Sequence, residues 1–263
     1  MDSEVLPTPY ELLDTSSHVR EKSTCSMGLS GLMLVEQLNP EGWARTYLVV
    51  CEIESKAVLI DPVLENNELY LGILELRGLE LDCVIGTHTH ADHITGGFLL
   101  AEEHGCDFLM LEGSACHGVT RFIKPDSVME VGGVQFSFTA VPGHTEDSML
   151  VEAPGHLFTG DFLFNGTGGV GRDDLPGGSL ESHWESIGRL VEMDGDLLVM
   201  SGHEPPGSEP ASLQWNRENN PVLLMESFEE YQRWQRNEWL RLGDVSRMPV
   251  ALPANLTGVL PSQ

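Results

Sequence analysis

Lysine is almost missing from this 263-residue chain: Lys22, Lys56 and Lys124 are the only three, and 14 cationic side chains face 41 aspartates and glutamates, a formal net charge of −27. Such an excess repels phosphate backbones and anionic lipid, so nucleic-acid binding is not expected. No apolar run approaches the roughly 18 to 20 residues that a membrane-spanning helix needs, and no transmembrane segment is expected. The N-terminus lacks the basic start and apolar middle of a secretory signal. It reads as a loosely ordered arm over 1–30, ahead of one folded domain over 31–263. Cysteine is scarce too. Cys25, Cys51, Cys83, Cys106 and Cys116 are odd in number and form no C-x-x-C pair, which argues against both a disulfide framework and a thiolate zinc site. A cytoplasmic location follows as the expectation. No long linker, repeat or low-complexity tract divides the chain.

The residues that are present suit a layered α/β protein. At 41% hydrophobic composition the chain can bury a sizeable core. Short β-branched and apolar runs predict strands over 31–38, 46–53 and 57–60, the last ending at Asp61-Pro62. Leu69, Leu71, Ile73, Leu74 and Leu76 predict a helix over 65–77 that stops before Gly78, followed by a buried strand over 81–85. A helix over 94–104 closed by Gly105 and a strand over 108–111 complete a β/α alternation. The second half predicts an antiparallel meander of strands over 127–131, 134–141, 149–153 and 157–159, joined by glycine turns. A helix over 180–193, a strand over 197–200 and a C-terminal helix over 226–240 follow. In that last helix Phe228, Tyr231, Trp234 and Trp239 read as a packing stripe.

The chemistry concentrates in Thr87-His88-Thr89-His90-Ala91-Asp92-His93, directly after a buried strand. Alternation in an extended stretch points His88 and His90 to one side, and the turn that follows carries Asp92 and His93 to a neighbouring position. Three imidazoles and a carboxylate at this spacing read as a metal site. His144, in Pro142-Gly143-His144-Thr145, and Asp161, in Thr159-Gly160-Asp161, stand at turns after predicted strands, and His203 stands after the strand over 197–200. Ligands of this kind suit zinc, iron or manganese. His88, His90 and His144, with Asp161 bridging to Asp92, His93 and His203, would make a two-metal hydrolytic centre. Two histidines and one carboxylate would make a mononuclear iron centre. His18, His104, His117, His156 and His183 lie on expected surface elements or turns without partner motifs.

At these motifs the chain resembles the metallo-β-lactamase superfamily, over residue 31 to about residue 204, and the resemblance implies a four-layer αββα fold. Lys56 to Glu65, Thr-His-Thr-His-Ala-Asp-His-Ile-Thr-Gly96, Asn220-Pro221 and the terminal Val-Ala-Leu-Pro-Ala-Asn255-Leu resemble the ETHE-type persulfide dioxygenases. Glyoxalase II, the other similar family, continues into a larger helical domain than the short tail here. The resemblance implies one Fe(II) per chain, held by His88, His144 and Asp161 as the catalytic residues, with His90, Asp92, His93 and His203 as outer support or a second site. It implies oxidation of glutathione persulfide, or a related small persulfide, by O2 to sulfite and thiol. The alternative is a binuclear thioester hydrolase of glyoxalase II type with two zinc or mixed metals. Dimers and tetramers are common among such proteins, so a homodimer or tetramer is the expected assembly.

Two departures touch the substrate pocket. The family's Gly-Cys-Gly-Arg reads Gly169-Val170-Gly171-Arg172, and the late histidine is followed by Glu204-Pro205-Pro206 with no aromatic residue. Arg172 is a candidate clamp for a substrate carboxylate, or else an ion-pair partner of Asp173 or Asp174.

Overall fold

A computed structural model describes residues 33–39 and 44–261; the arm expected over 1–30 lies outside them. Two largely apolar runs, Tyr47–Cys51 (β2) and Lys56–Ile60 (β3), are buried on both faces from Tyr47 to Cys51 and from Ala57 to Ile60, as strands between two packed layers must be. With Met33–Gln37 (β1), Glu80–Ile85 (β4), Asp107–Leu111 (β5) and Arg121–Ile123 (β6) they form a sheet in chain order. Its first three strands pair antiparallel and its last four pair parallel. The helices Asn67–Arg77 (α1) and Gly97–His104 (α2) make the crossovers between the parallel strands. Each ends at a glycine in the left-handed region, Gly78 and Gly105, where no Cβ opposes the turn.

The second sheet holds Ser127–Val131 (β7), Val134–Ala140 (β8), Met149–Ala153 (β9), His156–Gly160 (β10), Leu198–Ser201 (β11) and Ala211–Ser212 (β12). β7 to β10 form the expected meander, and β11 returns parallel to β10. Side chains of the two inner faces, including Tyr47, Val49, Ile60, Ile85, Phe136, Phe138, Val151 and Phe158, interlock between the sheets. Burying each such large apolar side chain contributes about 1.5 to 3 kcal/mol.

Helices cover both outer faces, giving the four layers that the sequence implied. α1, α2 and Met248–Thr257 (α6) pack on the first sheet. Leu180–Ile187 (α3) and Phe228–Leu242 (α5) pack on the second. Phe228, Tyr231 and Trp234 are the packing part of the α5 stripe, while Trp239 lies outside that cluster.

Several elements differ from expectation. The helix expected to 193 ends at Ile187 and tightens into a short 3-10 turn over Gly188–Val191. The helix expected from 94 begins at Gly97, because Ile94 and Thr95 are drawn into bonds with the segment after β3. β6, β12, Leu213–Asn219 (α4) and α6 were not read from the sequence. His183, expected on a surface element, is fully buried on α3, where its Cα and the base of its side chain fill the space that a Cβ on Gly143 would take. Burial pushes the thiols of Cys51 and Cys106 up to about 11 and that of Cys116 to about 12, so these cysteines are packed groups and poor thiolate ligands.

Candidate metal centre

β3 and β4 run parallel, as do β10 and β11, so the segments that follow them leave the two sheets at one common edge. Asp61 follows β3, the segment from Thr87 to His93 follows β4, His144 follows β8, Asp161 follows β10 and His203 follows β11. The edge is sewn across the sheets by Met149 N–H donating to Thr87 O at 2.9 Å and by the Tyr47 hydroxyl donating to Ser201 O at 2.7 Å. All seven sequence-predicted ligands therefore meet at one place.

Within that place they sort into two groups. One ligand atom each from His88, His144 and Asp161 lies within 4.8 Å of the others, and the same holds for His90, Asp92 and His93. The rings of His88 and His90 lie side by side with centroids 4.1 Å apart, yet the two residues fall in different groups. His203 belongs to neither: its Nδ1 is 2.8 Å from Asp161 Oδ1 and its Nε2 2.9 Å from Asp92 Oδ2, so it bridges the two carboxylates.

Hydrogen bonds place the protons on these imidazoles. His144 Nδ1 lies 2.6 Å from the carbonyl of Arg172, which can only accept, so Nδ1 carries the hydrogen and Nε2 keeps a lone pair. The hydroxyl of Thr87 donates to Asp61 Oδ2 at 2.7 Å, so toward His88 Nδ1, at 3.0 Å, it accepts. His88 Nε2 is then a bare lone pair, buried and without a partner. His90 Nδ1 and His93 Nε2 are likewise buried and unpartnered, their other nitrogens facing Asp61 at 3.2 Å and Asp92 at 3.1 Å. Buried polar atoms without partners are costly, and unpartnered imidazole nitrogens grouped with carboxylates are what a cation satisfies. The residues fit a metal.

The charge pattern agrees. Burial and the neighbouring His90 push the pKa of His88 well down, keeping it neutral as a ligand must be. Burial opposes the charge of Asp161, but His203, hydrogen-bonded to it, outweighs burial and holds the carboxyl below the usual range. The same contest holds Asp61 low, through the hydrogen-bonded His90 and the Thr87 amide, and Asp92 low, through the hydrogen-bonded His93 and His203. Between Asp161 and Asp92, His203 is raised well above an ordinary histidine despite its burial.

Glycine makes the close approaches possible. Gly160, at φ +49°, lies against the side chain of Thr87, where a Cβ would collide with the hydroxyl. Gly171 lies against the Asp161 carbonyl and His144 Nδ1 in the same way.

Supporting residues beyond the sequence reading emerge here. Asp61, at φ +50°, takes a left-handed conformation rare outside glycine and, from it, accepts from Thr87 N–H at 2.7 Å as well as from the Thr87 hydroxyl and His90. Its signal was an aspartate ending a strand before proline. Asp147 accepts from Thr89 N–H, Thr89 Oγ1, Ser114 Oγ and Thr145 Oγ1 at 3.1, 2.5, 2.6 and 2.7 Å, tying the loop after β4 to the loop of His144. Glu204 accepts from Asn165 N–H and Ser201 Oγ, each at 2.7 Å. Neither carried a signal beyond its proximity to a histidine motif.

An open cavity of about 790 Å³ leads to His144 and Asp161 between apolar walls that include Phe164, Val170, Trp215 and Leu242. Arg172 lines it, with Nε and Nη2 paired to Asp174 at 2.6 and 2.7 Å and Nη1 donating to Gly243 O at 2.5 Å. Asp173 instead turns inward to the hydroxyl of Tyr231 at 2.7 Å.

Comparison with known proteins agrees with the geometry. A sequence model of the metallo-beta-lactamase superfamily matches residues 42–203. The mitochondrial persulfide dioxygenase ETHE1 of Homo sapiens is 30% identical over 244 residues, covering 90% of this chain and 94% of that one. Hydroxyacylglutathione hydrolase of Chromohalobacter salexigens is 34% identical over 161 residues, 60% of this chain and 61% of that one. The crystal structure of ETHE1 from Myxococcus xanthus superposes with a TM-score of 0.78 at 31% identity, covering 86% of this chain and 99% of that one. The chain belongs to the metallo-β-lactamase superfamily and, across most of its length, is similar to the persulfide dioxygenases within it.

Proposed function

We propose that the protein is a persulfide dioxygenase, with a single non-haem Fe(II) held by His88, His144 and Asp161. The observation that carries this reading is the convergence of two histidines and one carboxylate in a chain that is similar to persulfide dioxygenases over most of its length. Such a set leaves the rest of an iron's coordination sphere open. Iron bound there would supply electrons and adjacent open positions for a persulfide sulfur and dioxygen. The reaction consumes RSSH, O2 and water and yields RSH and sulfite. The outer sulfur loses four electrons to dioxygen, water supplies the third oxygen, and the sulfur–sulfur bond breaks to release the thiol.

The chain's own residues orient and shield this chemistry. The Arg172 carbonyl and Thr87 fix the tautomers of His144 and His88. His203 stands at the cavity wall and ties Asp161 to Asp92 through its two ring nitrogens. Phe164, Val170 and Trp215 present apolar surface to the carrier thiol. Glutathione persulfide is the first substrate to test, with related small persulfides beside it. Buried thiols at Cys51, Cys83, Cys106 and Cys116, with no disulfide among the described residues, support a reducing compartment such as the cytoplasm.

A second reading has its own observation: His90, Asp92 and His93 form a second group, as a binuclear thioester hydrolase would require. Elemental analysis of anaerobically purified protein, paired with oxygen uptake on glutathione persulfide, separates the two. About one iron per chain with sulfite formed is the expected outcome. Two metals, no uptake and thioester cleavage would overturn it. Replacement of His144 by alanine abolishes turnover under either reading.

A further inference from the structure

We propose that Asn255, on the C-terminal helix, is a positioning residue for the metal centre. The side chain is fully buried although α6 lies on the outer layer of the first sheet. Its amide nitrogen donates to the carbonyls of His90 and His93, both at 2.9 Å, and its oxygen accepts from Thr95 N–H at 2.9 Å. Among the described residues no other donor reaches either carbonyl. One side chain therefore satisfies three backbone groups of the loop that carries four of the seven candidate ligands.

The consequence is geometric. The segment from His88 to His93 has no helix or strand of its own, so nothing periodic fixes its backbone. On one side Asp61 holds it through Thr87 and His90. On the other side Asn255 holds it, with both amide hydrogens spent on the carbonyls of two histidines three residues apart. Rotation of either peptide would swing an imidazole away from its partners and break a bond to Asn255. The helix is itself anchored, since Ala251 and Ala254 are buried against the first sheet and the Asn255 carbonyl accepts from His117 N–H at 2.7 Å. α6 thus acts as a latch on the loop, although no α6 residue falls in either ligand group.

The inference rests on metal binding at this loop and is indifferent to which reaction follows. Its test is titration of chelator-stripped, full-length protein with cobalt(II), reading affinity and the visible ligand-field bands, with apo melting temperature as the fold control. Asn255→Asp keeps the volume and turns two donations into an oxygen facing two carbonyls. Ala251→Gly loosens the same helix and leaves the three bonds intact. The expected result is at least about a tenfold loss of affinity with shifted bands in Asn255→Asp. Ala251→Gly should keep affinity and spectrum while its melting temperature falls.

Unaltered affinity and bands in Asn255→Asp would overturn the proposal, as would a loss in Ala251→Gly matching its loss of melting temperature. Should Asn255→Asp fail to fold, hydrogen exchange on the unaltered chain decides, because coupling is reciprocal. Cobalt must then slow the amides of α6 together with that of Thr95, and an unresponsive α6 overturns the link. An unaltered chain that takes up no cobalt would sink the metal reading itself, a different failure from tight binding that ignores Asn255.

Discussion

At the scale of single residues, the centre is a problem of where protons sit. Thr87 passes its hydroxyl hydrogen to Asp61 and so can only accept from His88, which frees His88 Nε2. Thr87→Val keeps the side-chain shape but removes that acceptor, so His88 loses its fixed tautomer and Asp61 loses a donor. A loss of about 10- to 100-fold in metal affinity is expected, measured by chelator competition. Asp147 raises a separate question of stability. Burial opposes its charge, but the donations from Ser114, Thr89 and Thr145 outweigh burial and hold its carboxyl below the usual range. A carboxyl with a depressed folded pKa contributes stability that is complete above its unfolded value of about 3.9 and is lost as pH falls through the folded value. Asp147→Asn is expected to lower stability at neutral pH by about 2 to 3 kcal/mol and to flatten the acid limb below about pH 4. Denaturant melts from pH 2 to 7 check this. An acid limb as steep as in the parent would contradict it.

At the scale of elements, α5 is the clamp on the loop that orients His144. Gln235 donates to Gly171 O at 2.8 Å and Tyr231 to Asp173 at 2.7 Å, which sets the peptide whose carbonyl meets His144 Nδ1. Tyr231→Phe leaves a buried carboxylate short of a donor and is expected to cost about 1 to 3 kcal/mol, read as a lower melting midpoint. α5 was legible in the sequence because its aromatics recur at helical spacing; its start at Phe228 is set by Ser227 Oγ accepting from Glu230 N–H at 3.3 Å and Glu230 Oε2 from Glu226 N–H at 3.1 Å. α6 was not, because Pro249 and Pro253 read as helix breakers. Pro249 falls in the first turn, where its missing N–H costs nothing, and burial of Ala251 and Ala254 outweighs the interior Pro253. β6 and β12 were too short, at three and two residues, to carry a period. The candidate ligands were legible because spacing and strand ends mark them. Asp61, Asp147 and Asn255 were hidden because a carboxylate or amide that binds backbone looks like any surface residue until the chain is folded.

At the scale of the whole molecule, a charge of −27 and a nest of acidic ligands pull stability in the same direction. Like charges spread over the surface repel, and the repulsion is screened as the Debye length falls from about 10 Å at 0.1 M salt to about 3 Å at 1 M. Sodium chloride is therefore expected to raise the melting temperature of both metal-loaded and stripped protein. Metal held at this centre would act differently, because it would bind the folded site and not the dispersed candidate ligands of the unfolded chain. With free metal at 100 times its dissociation constant the gain is about 2.7 kcal/mol, which for a chain of this length means roughly 5 to 10 °C. Stripping the metal with a chelator should remove that increment, and 1 M salt should not restore it. If salt alone replaced the whole increment, the seven-residue cluster would be acting as one more patch of surface charge, and the orphaned imidazole nitrogens would need another explanation. If the increment survives in high salt and disappears in His144→Ala, it arises at the buried centre where His88, His144 and Asp161 meet.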